Sequence, residues 1–184
     1  MISIFIYLIK SYFTCKMSRG FVKEDDQEEV PIVPPRADLP EGVTNYVTQT
    51  GMNELLEERE MLVNEKGSLS INGSNEDEKR IALNHINAKL QLLDNRIATA
   101  QIVKLDEGVH DEIRFGAVIR LRIAANNSIQ TFQIVGVDEA DISKGKISFT
   151  SPLAKALINK KVGDKAVLKR DQRDLVFEVL EITY

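Results

Sequence analysis

The chain has 184 residues, 43% of them hydrophobic and 28% charged, with a net charge of −4 and a sequence pI near 5.3. That length allows one ordinary domain or two small ones with at least one real core. The acidic balance argues against a protein that grips nucleic acid through its phosphates, because that work needs a dominant basic surface.

Cys15 is the single cysteine, and the two histidines, His85 and His110, stand apart in the sequence. One chain therefore assembles neither a disulfide framework nor a zinc site, and both histidines read as structural. Residues 2–9 form an apolar run that is too short to span a bilayer. No positive charge precedes it and no small-residue cleavage site follows, so it is not a secretory signal. Met17 reads as the true start, with residues 1–16 a start-site extension. From 17 to 47 the chain is expected to be an arm, charged at first (KEDDQEE) and then punctuated by proline, extended and poorly packed over residues 18–40.

The first helical pattern follows. Met52, Leu55, Leu56, Leu62 and Val63 recur at helical spacing, Glu57, Glu58 and Glu60 fill the other face, and Thr48 or Thr50 can cap. An amphipathic helix of about four to five turns is predicted, ending at a turn marked by Gly67, Asn72-Gly73 and the serines between them. The second helix carries the clearest periodicity in the chain. Leu83, Ile86, Leu90, Leu93, Ile97 and Ala100 step by 3, 4, 3, 4 and 3, which is a heptad seam. Asn75 can cap this helix with Glu78 completing a capping box, while Glu76 and Asp77 complement the positive end of its dipole. Two helices joined by a short turn form an antiparallel hairpin. Alone they have too little core for a bundle, so the predicted hairpin, residues 48–104, projects by roughly 35–40 Å.

Over residues 105–184 the period changes to two. Ala117, Ile119, Leu121 and Ile123 alternate with Val118, Arg120 and Arg122; Asn126-Asn127 makes a turn; and residues 131–137 return as a strand. Residues 147–149, 165–169 and 175–182 supply three more strands, the last two joined by a hairpin turn at 171–174. Between them, Ser151 and Pro152 provide an N-cap and an N1 proline for a short helix that places Leu153, Ala156 and Leu157 on one face. Asn159 and Val162-Gly163-Asp164 end it. One short helix against an antiparallel sheet is an α+β domain.

The run GKISFTSPLAKALINKKVGD at 145–164 resembles the C-terminal signature of the bacterial GreA/GreB transcription elongation factors. LDNRIATAQIV at 93–103 resembles the family's helix end, and MSRGFVKEDDQEE resembles the opening of a subgroup of these proteins. The resemblance implies an FKBP-like C-terminal domain that docks on RNA polymerase, with Thr150, Ser151 and Pro152 as docking residues. It implies a hairpin that enters the polymerase secondary channel, close to nascent RNA and DNA. There the tip acids, here Glu76, Asp77 and Glu78, would help hold a magnesium ion of the polymerase's own active site, with Glu76 and Asp77 nearest the metal. Magnesium takes oxygen ligands, and paired carboxylates suit it. Such a factor is cytoplasmic and monomeric, with no catalytic residue or cofactor of its own and no membrane contact.

The family's cleavage-competent tip has an Asp-x-x-Glu-Asn-Ala core, whereas this chain has Gly73-Ser74-Asn75-Glu76-Asp77-Glu78, and its hairpin is shorter. Two outcomes stay open: stimulated transcript cleavage, or occupancy of the channel. Lys155, Lys160, Lys161, Lys165, Lys169 and Arg170 make the C-terminal end locally basic, a complement for an acidic protein surface. The alternative from another class is an FKBP-like prolyl isomerase or chaperone-like protein. Such an enzyme needs an aromatic-lined pocket, and this domain's aromatics are Phe115, Phe132, Phe149, Phe177 and Tyr184.

Overall fold

The computed structural model describes residues 32–71, 75–104, 111–169 and 174–184. The expected start at Met17, Cys15, the Asn72-Gly73 turn, His110, Arg170 and the turn at 171–173 lie outside them.

Helix α1 (Gln49–Ile71) starts at Thr48, whose Oγ1 accepts the backbone N–H of Gly51 at 2.9 Å. It runs for 23 residues, straight through Gly67, which the sequence pattern assigns to the turn. Nothing lies within 4 Å of where a Gly67 Cβ would sit, so this glycine faces open space. Its helix penalty of ~1 kcal/mol is small beside the packing of Leu69 one turn-fraction on, against the helical core. Helix α2 (Glu76–Thr99) returns alongside.

Leu55 and Leu62 of α1 meet Ile86 and Leu93 of α2, with Met52, Leu69, Leu90, Ile97 and Ala100 closing around them. The α2 seam follows its heptad spacing from Ile86 to Ala100. On α1 the prediction was too broad: Leu56 and Val63 are 46% and 44% exposed. Each sits one residue, about 100° of helix rotation, past the buried Leu55 and Leu62. Arg59 in α1 reaches Asp94 in α2 at 2.7 Å, but both side chains are half exposed and the pair adds little stability. Among the described residues no helix is long and apolar enough to cross a membrane.

A short parallel ladder brackets the helices. Strand β1 (Asn45–Val47) pairs with β2 (Ala100–Ile102), Asn45 opposite Ala100 and Val47 opposite Ile102. The end of the expected arm is therefore ordered against the end of α2. Buried Asn45 secures it, donating through Nδ2 to the Arg96 carbonyl at 2.9 Å and to Thr99 Oγ1 at 3.2 Å. Gly136 then lets the chain of the second sheet come close: a Cβ there would meet the Tyr46 carbonyl oxygen at 2.8 Å.

The second sheet has strands β3 (Val118–Ile123), β4 (Ile129–Val135), β5 (Lys146–Ser148), β6 (Lys165–Leu168) and β7 (Leu175–Thr183), in the order β5-β4-β3-β7-β6. Ala117, Ile119 and Leu121 are fully buried, as alternation predicts. Ile134, Ile147, Ala166, Phe177 and Val179 share their core. Helix α3 (Pro152–Leu157) covers it through Ala154 and Leu157. On the opposite face Arg120 pairs with Glu181 at 2.7 Å and Arg122 with Glu178 at 3.1 Å, each across the β3–β7 register. The architecture is α+β. The expectation of a purely antiparallel sheet is corrected at one edge, where β5 runs parallel to β4. The segment between Val135 and Lys146, with a 3-10 turn at Ile142–Lys144, is long enough to carry the chain back before it re-enters.

Candidate functional site

Three places carry the residues that matter, and the first is the start of α2. Asn75 is its N-cap, accepting the Asp77 N–H at 3.4 Å, and Glu76, Asp77 and Glu78 fill the first turn, all exposed. Successive helical residues diverge by about 100°, so the three carboxylates do not converge on one point. Arg80 lies 3.8 Å from Asp77. Among the described residues no group of three or more His, Cys, Asp or Glu is placed to hold a metal ion. This turn fits a metal only as a source of one or two carboxylate oxygens for an ion held mainly by other ligands.

The second place is the entrance to α3. Ser151 Oγ accepts the Ala154 N–H at 3.2 Å, and Pro152, exposed, occupies the first helical position. The Thr150 N–H donates to Ser148 Oγ at 3.1 Å, and the two hydroxyls lie 2.7 Å apart, so Thr150 is tied back to β5. Ala154 and Leu157 anchor the helix from below. The result is a corner held by its own hydrogen bonds, with Pro152 exposed and Thr150 and Ser151 half-buried. Around it Lys155, Lys165 and Lys169 are exposed. Lys161 is engaged by Asp111 at 2.5 Å, which raises its pKa and lowers that of the carboxyl. Lys160 is half buried. His85, half buried on α2 beside Ile86, belongs to neither place.

The third place is the junction of helices and sheet, which the sequence did not single out. Phe149, just before the α3 entrance, meets Phe115 edge-on at 5.7 Å between ring centroids, and Tyr46 of β1 leans on both at 5.8 and 6.0 Å. These rings pack on one another. Beside them Glu139 is buried. Thr48 Oγ1 donates to it at 2.7 Å and Lys146 Nζ lies 3.4 Å away, itself 3.6 Å from Glu54. A Cβ on Gly51 would collide with Glu139 Oε2, so a larger residue there would force the carboxylate out of its present place.

Asp138 does the same for the other helix. Its Oδ1 accepts from Arg36 Nε at 2.9 Å, and Arg96 Nε lies 3.1 Å from its Oδ2. The two outer nitrogens of Arg36 donate to both oxygens of Glu58 at 2.9 Å each. That fork is the largest reason the Arg36 guanidinium holds its proton more tightly than usual. Arg96 Nη2 donates to the Ala37 carbonyl at 2.5 Å, and a cleft of about 380 Å³ lies between residues 35–39 and Leu92, Asn95 and Thr99. No local spacing announces these partners: Arg36 and Asp138 are 102 residues apart.

Residues 108–184 match the family described as "Transcription elongation factor, GreA/GreB, C-term". The chain is 36% identical over 99 residues to the transcription elongation factor GreA of Hyphomonas neptunium, covering 54% of this chain and 63% of that protein. It is 34% identical over 118 residues to the GreA of Rhizobium leguminosarum bv. trifolii, covering 64% of this chain and 74% of that protein. Among solved structures, the GreA factor homolog 1 of Thermus thermophilus aligns at 23% identity over 77% of this chain and all of its own, with a TM-score of 0.37. The chain thus spans less than two thirds of the length of some curated relatives it matches.

Proposed function

Because this chain belongs to the GreA/GreB family of transcription elongation factors, we propose that it binds bacterial RNA polymerase through the α3 entrance and regulates elongation without chemistry of its own. The observation that carries this reading is the hydrogen-bonded Thr150-Ser151-Pro152 corner, with Pro152 exposed, which lies inside the stretch matched by the family. In this reading residues 105–184 are an FKBP-like docking domain, and α1 and α2 are a projecting antiparallel hairpin that enters the secondary channel. Residues 17–47 are the arm, and the protein works as a cytoplasmic monomer.

The start of α2 is then the tip. Glu76 and Asp77 would offer carboxylate oxygens to the polymerase's own magnesium ion, which supplies activation of water for cleavage of backtracked RNA. The divergence of the three acids and the departure from the Asp-x-x-Glu-Asn-Ala core leave this support weak, so occupancy of the channel is the main effect.

The test is incubation of the purified chain with a stalled, backtracked polymerase complex. Binding is expected, with cleavage little above the factor-free rate. Glu76→Gln with Asp77→Asn should remove what stimulation there is and leave binding intact. The same double change should lower stability by only about 0.3–1 kcal/mol through lost dipole complementation. Robust magnesium-dependent cleavage that vanishes in the double variant would show the tip to be a full metal-supporting one, and absence of binding would overturn the assignment.

A further inference from the structure

The helices and the sheet meet over a small junction, one cluster of three aromatic rings with polar contacts beside it, and small junctions leave relative motion as the default unless something restrains it. Most of its contacts gather at one end of α1. Tyr46, Thr48, Gly51 and Glu54 all touch the sheet side within the first turns of the helix or just before it. Contacts so close together make a pivot. Glu58 lies about ten residues beyond Thr48, roughly 15 Å along the axis at 1.5 Å per residue, and a restraint there has a lever arm that the pivot lacks.

Arg36 supplies that restraint. Its guanidinium bridges Glu58 of α1 to Asp138 of the sheet side, using one N–H for Asp138 and two for the fork on Glu58. Arg96, near the end of α2, approaches the same Asp138 and holds the arm by the Ala37 carbonyl. Arm and α2 therefore reach one carboxylate directly, and α1 reaches it through Arg36. We propose that residues 32–40 are a strap and that Arg36 is a positioning residue, fixing the angle between the helical pair and the sheet. The consequence, that the strap sets where the start of α2 is held when the α3 entrance is docked, rests on the polymerase reading. The strap itself does not.

The test reads the angle directly in the free, full-length protein. Spin labels are placed at Glu65→Cys on α1 and Lys165→Cys on β6, both exposed positions, with Cys15 replaced by serine, and the label-to-label distance distribution is recorded by pulsed dipolar spectroscopy. One narrow distance is expected for the parent. Arg36→Gln should shift it or widen it roughly two-fold, because the contacts that remain gather at the pivot and leave rotation about it unrestrained. Arg36→Lys should fall between, since an ammonium cannot reproduce the fork on Glu58 while also serving Asp138. Thermal melting runs in parallel. A loss of stability in Arg36→Gln with an unchanged narrow distance overturns the proposal, because it leaves Arg36 a merely structural contact. Should Arg36→Gln fail to fold, Glu58→Ala decides: truncating this more exposed partner removes only the α1 anchor, so widening supports the strap and an unchanged distance overturns it. Polymerase is absent throughout, so this result stands or falls separately from the docking assignment.

Discussion

Asp138→Ala is expected to destabilise the protein by about 3 kcal/mol, at the lower end of the range for removing one partner of a buried ion pair. The side chain of Asp138 is 10% exposed, and those of Arg36 and Arg96 are 19% and 12% exposed. Removing the carboxylate leaves two largely covered guanidinium groups without their shared counter-charge. Arg36 keeps its fork on Glu58 and Arg96 keeps the Ala37 carbonyl, which is why the expected loss does not reach the top of the range. Asp138→Asn, which keeps an acceptor oxygen but no charge, should fall between parent and alanine. Urea denaturation at neutral pH measures both. A midpoint for Asp138→Ala within error of the parent's would show that the carboxylate contributes only a surface contact.

Leu93→Ala should be of similar size, about 3 kcal/mol, from lost transfer free energy plus the cavity left between the helices. Leu93 is fully buried, held among Val47, Leu55, Leu62 and Ile86. Leu56→Ala makes the paired control, because that side chain is 46% exposed and its truncation should change stability by no more than about 0.5 kcal/mol. Equal losses in the two variants would place Leu56 in the seam after all.

That contrast marks where the sequence was legible and where it was not. On α2 one 3-4 stepping of apolar residues runs the length of the helix, long enough to pick Leu93 over its exposed neighbour Leu92, so period identifies Ile86 and Leu93. On α1 the apolar residues come in adjacent pairs, Leu55-Leu56 and Leu62-Val63, and period cannot say which member of each pair faces the partner. Gly67 misled for a different reason: local propensity argues against glycine in a helix, while tertiary packing of Leu69 keeps the helix going. Strand β3 and the Ser151-Pro152 helix start were readable because alternation and capping are written in neighbouring residues. The β1–β2 ladder has three residues a side, too few for alternation to register. The parallel β5 edge has no signature distinct from an antiparallel one. The junction was invisible for the plainest reason, since Arg36, Glu58, Arg96, Asp138 and Glu139 become neighbours only through the fold. Of the candidate site, the α3 entrance and the tip acids were named from sequence, and the residues that fix their relative placement were not.

Docking of this GreA/GreB family member on RNA polymerase through the α3 entrance, as proposed, is read out by equilibrium binding of the labelled full-length chain to bacterial core polymerase. Saturable binding is expected, displaced by a GreA relative. It should weaken by about ten-fold, or 1.4 kcal/mol, in Pro152→Ala and stay unchanged in the Glu76→Gln, Asp77→Asn double variant. Binding that is absent, or that is lost with the tip acids and indifferent to Pro152, would contradict it.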